Sequence, residues 1–177
     1  MHNPPDPIRR ELVTWEEVDK LIDILVPQIK SVSSFDGMVI ITRGGIIPGG
    51  LLAEALDITH VLTAAVRFRD PLFEKISTQE MSLMGLPSFL QFPEDRLLRG
   101  RKILVVDDVW GSGRTSTAVK NKVSAAGGIP FTSVLHFNPH RNRFGATRPD
   151  YFAASTDAHI VYPWEGEPTA GWAKRDY

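Results

Sequence analysis

The amino-acid sequence predicts an α/β domain with a mainly parallel, twisted sheet flanked by helices. Three observations carry that prediction. Unbroken apolar runs such as MVIIT (Met38–Thr42) and ILVV (Ile103–Val106) have the pattern of strands buried on both faces. Segments with a helical apolar repeat alternate with those runs, as in successive βα units. The 177 residues suffice for one full core, with neither an internal repeat nor a composition break to mark a second domain.

The elements follow in order. MHNPPDPIRRE opens a Pro-rich, loosely packed tail over residues 1–12, with the domain expected over 13–167 and a C-terminal tail over 168–177. Thr14 and Glu17 have the spacing of a capping box, in which two side chains satisfy the first amides of a helix. That helix places Val18, Leu21, Ile22 and Leu25 on one face, and Pro27 is its expected end. After the Met38–Thr42 strand, RGGIIPGGLLAEAL turns into a helix with Leu51, Leu52, Ala55 and Leu56 as its buried stripe. HVLTAAV (His60–Val66) is the next strand. From Arg69 to Leu98 three prolines and no sustained period predict a mobile lid loop beside a small hood. RKILVVDD is a buried strand, and the helix from Thr115 to Ala126 is closed by Gly127 and Gly128. FTSVLHF, YFAAS and HIVY complete the strands.

Composition narrows the partners. A net charge of −1 gives no basic field for nucleic acid or an anionic membrane. No apolar run reaches the length of a membrane span or signal peptide, and the chain has no cysteine, so a cytoplasmic protein is expected.

The chemistry concentrates in VVDDVWGSGRTS (Val105–Ser116). In open α/β sheets ligands sit beyond the carboxyl ends of strands, and Asp107 and Asp108 fall at such an end. The turn behind them leads into a helix, so its amides and the helix dipole favour a phosphate. Gly111 and Gly113 allow close approach of the backbone, while Ser112, Thr115 and Ser116 add hydroxyls. A nucleoside-triphosphate P-loop does not fit, because Asp108 and Arg114 stand where it requires glycine and lysine. Adjacent carboxylates accept hydrogen bonds from the vicinal hydroxyls of a ribose, and one of them, Asp108, can help hold Mg²⁺. One phosphate loop beside such a pair describes a ribose 5-phosphate site.

ILVVDDVWGSGRTS resembles the phosphoribosyl-diphosphate (PRPP) motif of the type I phosphoribosyltransferases. The resemblance implies that family's fold, with Asp107 and Asp108 on the ribose hydroxyls and Gly111, Ser112, Gly113, Arg114, Thr115 and Ser116 around the 5-phosphate. ITRGGIIPGGLLAEAL is similar to the family's diphosphate loop, with Arg43-Gly44 as the step that presents amides to the leaving group, often strained or cis in relatives. VTWEEVDKLI and HIVYPWE are similar to xanthine–guanine and hypoxanthine phosphoribosyltransferases. The implied function is a Mg²⁺-dependent transfer from PRPP to a purine or purine-like base in purine salvage, by a homodimer or homotetramer. Arg67 or Arg69 could reach the diphosphate from the lid. The alternative is a regulator of the same fold that binds PRPP or a nucleotide without turnover, although no nucleic-acid-binding element accompanies it.

The base side departs from the 6-oxopurine pattern. Gly111 stands where many of those enzymes carry an aspartate, Asn138 where they carry a lysine, and His159 where they carry the stacking aromatic ring. Asn138, His159, the backbone of Ile160 and Glu165 are the implied base contacts; Trp164 is read as a packing residue. His136, His140, Arg141 and Arg143 have no defensible metal spacing and read as a solvated loop.

Overall fold

In the computed structural model the described residues are 9–32, 34–68 and 86–165. The apolar runs become β2 (Gly37–Thr42), β3 (Val61–Phe68), β5 (Lys102–Trp110) and β6 (Ile129–Phe137), joined by β4 (Pro87–Gln91) and β7 (Tyr151–Ser155). They form one six-stranded sheet of order β4-β3-β2-β5-β6-β7, parallel except where β4 runs against β3. β1 (Arg10–Leu12) and β8 (His159–Val161) pair in parallel as a separate two-stranded hood.

Alternation along the central strands decides which helix packs where. Ile40, Leu104 and Val106 join a cluster with Leu25 and Ile29 of α1 (Trp15–Val32) and Leu52 of α2 (Ile46–Leu56). Val39, Ile41, Ile103 and Val105 join the opposite cluster, with Val119 and Val123 of α3 (Arg114–Ala125). Both faces of the sheet are thereby covered, as a parallel sheet requires. Among the described residues no helix is long and apolar enough to cross a membrane.

The chain leaves β2 toward β3 on one side and β5 toward β6 and β7 on the other, so β2 and β5 meet at the topological switch point. Their pairing stops at Ile40 and Val106, whereas β5 continues along β6 to Trp110 and Phe137. A crevice therefore opens between the two strands where Asp107 begins, the place where such sheets bind ligands.

Several expectations are corrected. Pro27 lies inside α1, which runs on to Val32. It faces solvent, where water can take the freed carbonyl, and the continuing turn buries Ile29 completely. The tail expected up to Leu12 is a strand from Arg10, held along β8, and three residues are too few to show a period. Leu51 is exposed; Pro48, Gly49 and Leu52 are the buried residues of α2. Of the segment expected to be a lid, residues 86–98 contain β4 and a short 3-10 turn at Asp95–Leu97, while the rest, 69–85, lies outside the described residues. The capping box is present: Thr14 N donates to Glu17 Oε2 (2.7 Å) and Glu17 N to Thr14 Oγ1 (3.2 Å).

Candidate active site

Asp107 and Asp108 are buried side chains near the carboxyl end of β5, 9% and 6% exposed. The strand includes them, as the run RKILVVDD suggested, and continues past them to Trp110. Asp108 N donates to Asp107 Oδ1 (3.1 Å) and Val109 N to Asp108 Oδ1 (2.7 Å), which fixes both carboxylates. Burial pushes Asp107 well above the usual carboxylate range, with the Asp108 charge adding to the shift. Asp108 is raised to about 6, first by burial and then by the nearby charge of Glu165.

From β2 the chain turns through Arg43, Gly44 and Gly45 into α2. A side chain at Gly44 would overlap the Asp108 carboxylate, so bare backbone lies directly against the acid. The cis peptide falls at Thr42–Arg43, one bond ahead of the Arg43-Gly44 step where it was expected. On the far side, Gly113 caps α3 with φ 77° and no side-chain cap bond. A Cβ there would meet the Trp110 indole as well as adopting a strained φ, so both reasons call for glycine. The first amides of α3 have no intrahelical acceptor and form the positive end of its dipole.

Two cavities flank the acids. One of about 580 Å³ is lined by Arg43, Gly44 and Val66. Another of about 320 Å³ is lined by Gly111, Ser112, Asn138, Arg141, His159 and Ile160. Asp107, Asp108, Thr115 and Glu165 line both, so the carboxylates sit on the ridge between them. The turn ahead of α3, the acid pair and the Arg43-Gly44 loop thus meet along one ridge.

Residues 15–132 match the phosphoribosyl transferase domain family. The chain belongs to that family. Among curated relatives, the xanthine-guanine phosphoribosyltransferase of Desulfotalea psychrophila is 27% identical over 158 residues, 88% of this chain and 86% of that one. The Idiomarina loihiensis xanthine-guanine phosphoribosyltransferase is 26% identical, covering 92% and 94% of the two chains. The solved purine phosphoribosyltransferase of Pyrococcus horikoshii superposes with a TM-score of 0.71 at 25% identity, over 90% of this chain and 97% of that one. A Helicobacter pylori xanthine-guanine-hypoxanthine enzyme, 19% identical with a TM-score of 0.72 over 88% and 94% of the chains, shares the fold.

Within this phosphoribosyl transferase domain, most residues singled out from the sequence line the two cavities. Arg114 and Ser116 line neither, and Asn138 lines the smaller one with its side chain already engaged. The Arg114 guanidinium lies over the Phe68 ring, 4.2 Å from its centroid. Ser116 is buried, and its hydroxyl interacts with Asp107, opposing in small part the upward shift that burial imposes. Asn138 is 1% exposed and its side chain is engaged: Oδ1 accepts from His140 N and Arg141 N (both 3.1 Å), and Nδ2 donates to Ala158 O (3.3 Å). Gly111 has open space where a side chain would stand. Trp164 packs as expected, stacked on Tyr162 at 4.6 Å and 4°. Arg67 is an exposed residue of β3; Arg69 lies outside the described residues.

Sequence reasoning missed Tyr162 and misplaced His136. His136 is a buried β6 residue and not part of a solvated loop. The Tyr162 hydroxyl donates to the Asp108 carbonyl (2.9 Å) and lies 2.8 Å from His136 Nδ1. A hydroxyl has one proton and the carbonyl can only accept, so His136 donates from Nδ1. Burial lowers the His136 pKa and raises that of Tyr162, keeping both neutral. The signal was available: His136 stands inside the apolar run VLHF, where a solvated residue is out of place.

Proposed function

We propose that this chain transfers the 5-phosphoribosyl group of PRPP to a purine base and releases diphosphate. The observation that carries the reading is the pair of buried acids on the ridge between a phosphate-type turn and the Gly44 backbone. In this reading the ribose diol donates to Asp107 and Asp108, and the 5-phosphate is cupped by the turn Gly111–Thr115. The leaving diphosphate faces the amides of Arg43 and Gly44, and the base enters the cavity beside His159 and Ile160. A base nitrogen forms the bond to C1 as the bond from C1 to the diphosphate oxygen breaks, with positive charge growing on the sugar. Orientation and charge stabilisation supply the acceleration, and no protein nucleophile is required.

The donor set fits Mg²⁺ arriving with its substrate. Hard carboxylate oxygens are present, and among the described residues no group of three or more acid, histidine or cysteine side chains forms a self-sufficient cage. Mg²⁺ is commonly held by one or two carboxylates plus substrate phosphates, and Asp108 is assigned that part in this reading. When bound, the ion neutralises charge on the diphosphate. Hydrogen bonds from the diol favour the ionised acids, against the upward shift caused by burial. Homo-oligomeric assembly and a cytoplasmic location belong to the same proposal, supported by the family resemblance.

The test is diphosphate release with Mg²⁺, PRPP and a panel of xanthine, guanine, hypoxanthine and adenine. Turnover with at least one base is expected. The double variant Asp107→Ala with Asp108→Ala should fall by at least about 1,000-fold while keeping its far-ultraviolet spectrum. Undiminished turnover in that folded variant removes the assignment.

A further inference from the structure

We infer that Arg141 reads an exocyclic carbonyl oxygen of the incoming base and so selects oxo bases over amino bases. The inference rests on the transfer reaction proposed above and names the side chain that sets its specificity. Arg141 lines the smaller cavity with His159, Ile160 and Glu165. Among the described residues its guanidinium has no ion pair or hydrogen bond; only its backbone N–H is engaged, by Asn138.

The turn that carries Arg141 is tied to both walls of the cavity. Asn138 joins it to the carbonyl of Ala158, immediately before His159. Arg143 N donates to Ser112 O (3.1 Å), and the Trp110 indole donates to Asn142 Oδ1 (3.2 Å). Asn142 Nδ2 closes the turn on Gly145 O and Thr147 O. Because the turn is anchored, binding has to order one side chain and no backbone.

Donor chemistry then decides what Arg141 can recognise. A guanidinium only donates, so it favours a carbonyl oxygen and disfavours an amino group at the same place. Asn138 is not the donor for such an oxygen: its own oxygen only accepts, and its Nδ2 is directed at Ala158 O. The remaining charged groups of this cavity, Asp107, Asp108 and Glu165, are acids that would repel an electronegative edge. The 5-phosphate has a separate cradle in the turn and the helix end, whereas Arg141 is tied through Asn138 to the β8 wall.

Arg141→Ala and Arg141→Lys test the assignment, since the exposed, unpartnered side chain is not needed for folding. Two measurements are made: turnover of hypoxanthine and adenine with PRPP, and calorimetric binding of inosine and adenosine 5′-monophosphates. In Arg141→Ala, kcat/KM for hypoxanthine should fall about 10- to 100-fold, with adenine and the KM for PRPP within about twofold. Arg141→Lys should retain an intermediate preference. An equal fall with both bases, no change, or a raised KM for PRPP at constant base preference overturns the inference; the last would place the cation on the phosphate. If the unaltered chain turns over no base, the transferase reading fails by itself. Loss of the inosine over adenosine nucleotide preference in Arg141→Ala then still upholds the role of Arg141, and an unchanged preference overturns it.

Discussion

The two cavities are built in different ways. The larger is walled by backbone at the Arg43-Gly44 loop, facing the acid pair, and is the one proposed for the diphosphate. The smaller lies between the turn ahead of α3 and side chains carried by a second turn and a three-residue strand, Asn138, Arg141 and His159 among them, and is the one proposed for the base. Main-chain sites need glycines and a fixed order of elements, so they leave a strong mark in sequence. Side-chain sites can exchange residues while the scaffold stays, and their roles depend on which partners are already engaged.

Gly44→Ala tests the main-chain side most severely. Its added carbon would overlap the Asp108 carboxylate, so either the loop or the acid must move. A displacement of about 1 Å in a positioning group costs on the order of 100-fold in rate, and kcat/KM for PRPP should fall by that much. Far-ultraviolet spectra and melting temperature should change little, because the loop lies outside the core. Full activity in Gly44→Ala would mean that a side chain is tolerated there, and the contrast between the cavities would fail.

Legibility followed the same division. The strand Ile103–Val106, the acid pair, Gly113 and the capping box at Thr14 were all readable, because each is a local pattern with one physical cause. The parallel sheet was readable from buried runs, and its switch point supplied the crevice. Pro27 misled, because local propensity ended a helix that burial of Ile29 carried onward. Asn138 misled for another reason. Whether an amide faces a ligand or holds a turn depends on Ala158, twenty residues away, and no local pattern reports that.

Asp108→Asn sharpens the comparison by separating binding from stability. Its folded pKa of about 6 lies above the usual 3.8, so the native state holds the proton more tightly than the unfolded chain. Stability contributed by this group is therefore full below about pH 4 and lost as pH rises through about 6. Removing the charge should stabilise the ligand-free protein at pH 7 by about 1–3 kcal/mol, on the scale of 1.4 kcal/mol per pKa unit. It should also flatten the pH dependence of unfolding over that interval while lowering turnover. Denaturant melts at pH 4, 5, 6 and 7 measure this, and an unchanged slope would show that Asp108 carries no such penalty. The amide cradle has no comparable charge to desolvate.

Tyr162 joins the two sides, since it follows β8 in the chain and holds the backbone of Asp108. Tyr162→Phe leaves the Asp108 carbonyl and the His136 Nδ1 proton without their partner in a buried place. Loss of about 1–2 kcal/mol is expected in urea unfolding, the usual cost of an unmet buried polar group. Activity should fall less than in Gly44→Ala, about three- to tenfold in kcat/KM, because the Val109 amide still holds the Asp108 carboxylate. Adding His136→Phe removes the stranded donor and should recover part of the stability, since replacing both partners by apolar groups costs less than removing one. The double variant should not recover turnover, because nothing then holds the Asp108 carbonyl. Stability and turnover recovering together would make the pair ordinary core packing. Recovery of stability alone would identify Tyr162 as the group that sets the acids in register with the base wall.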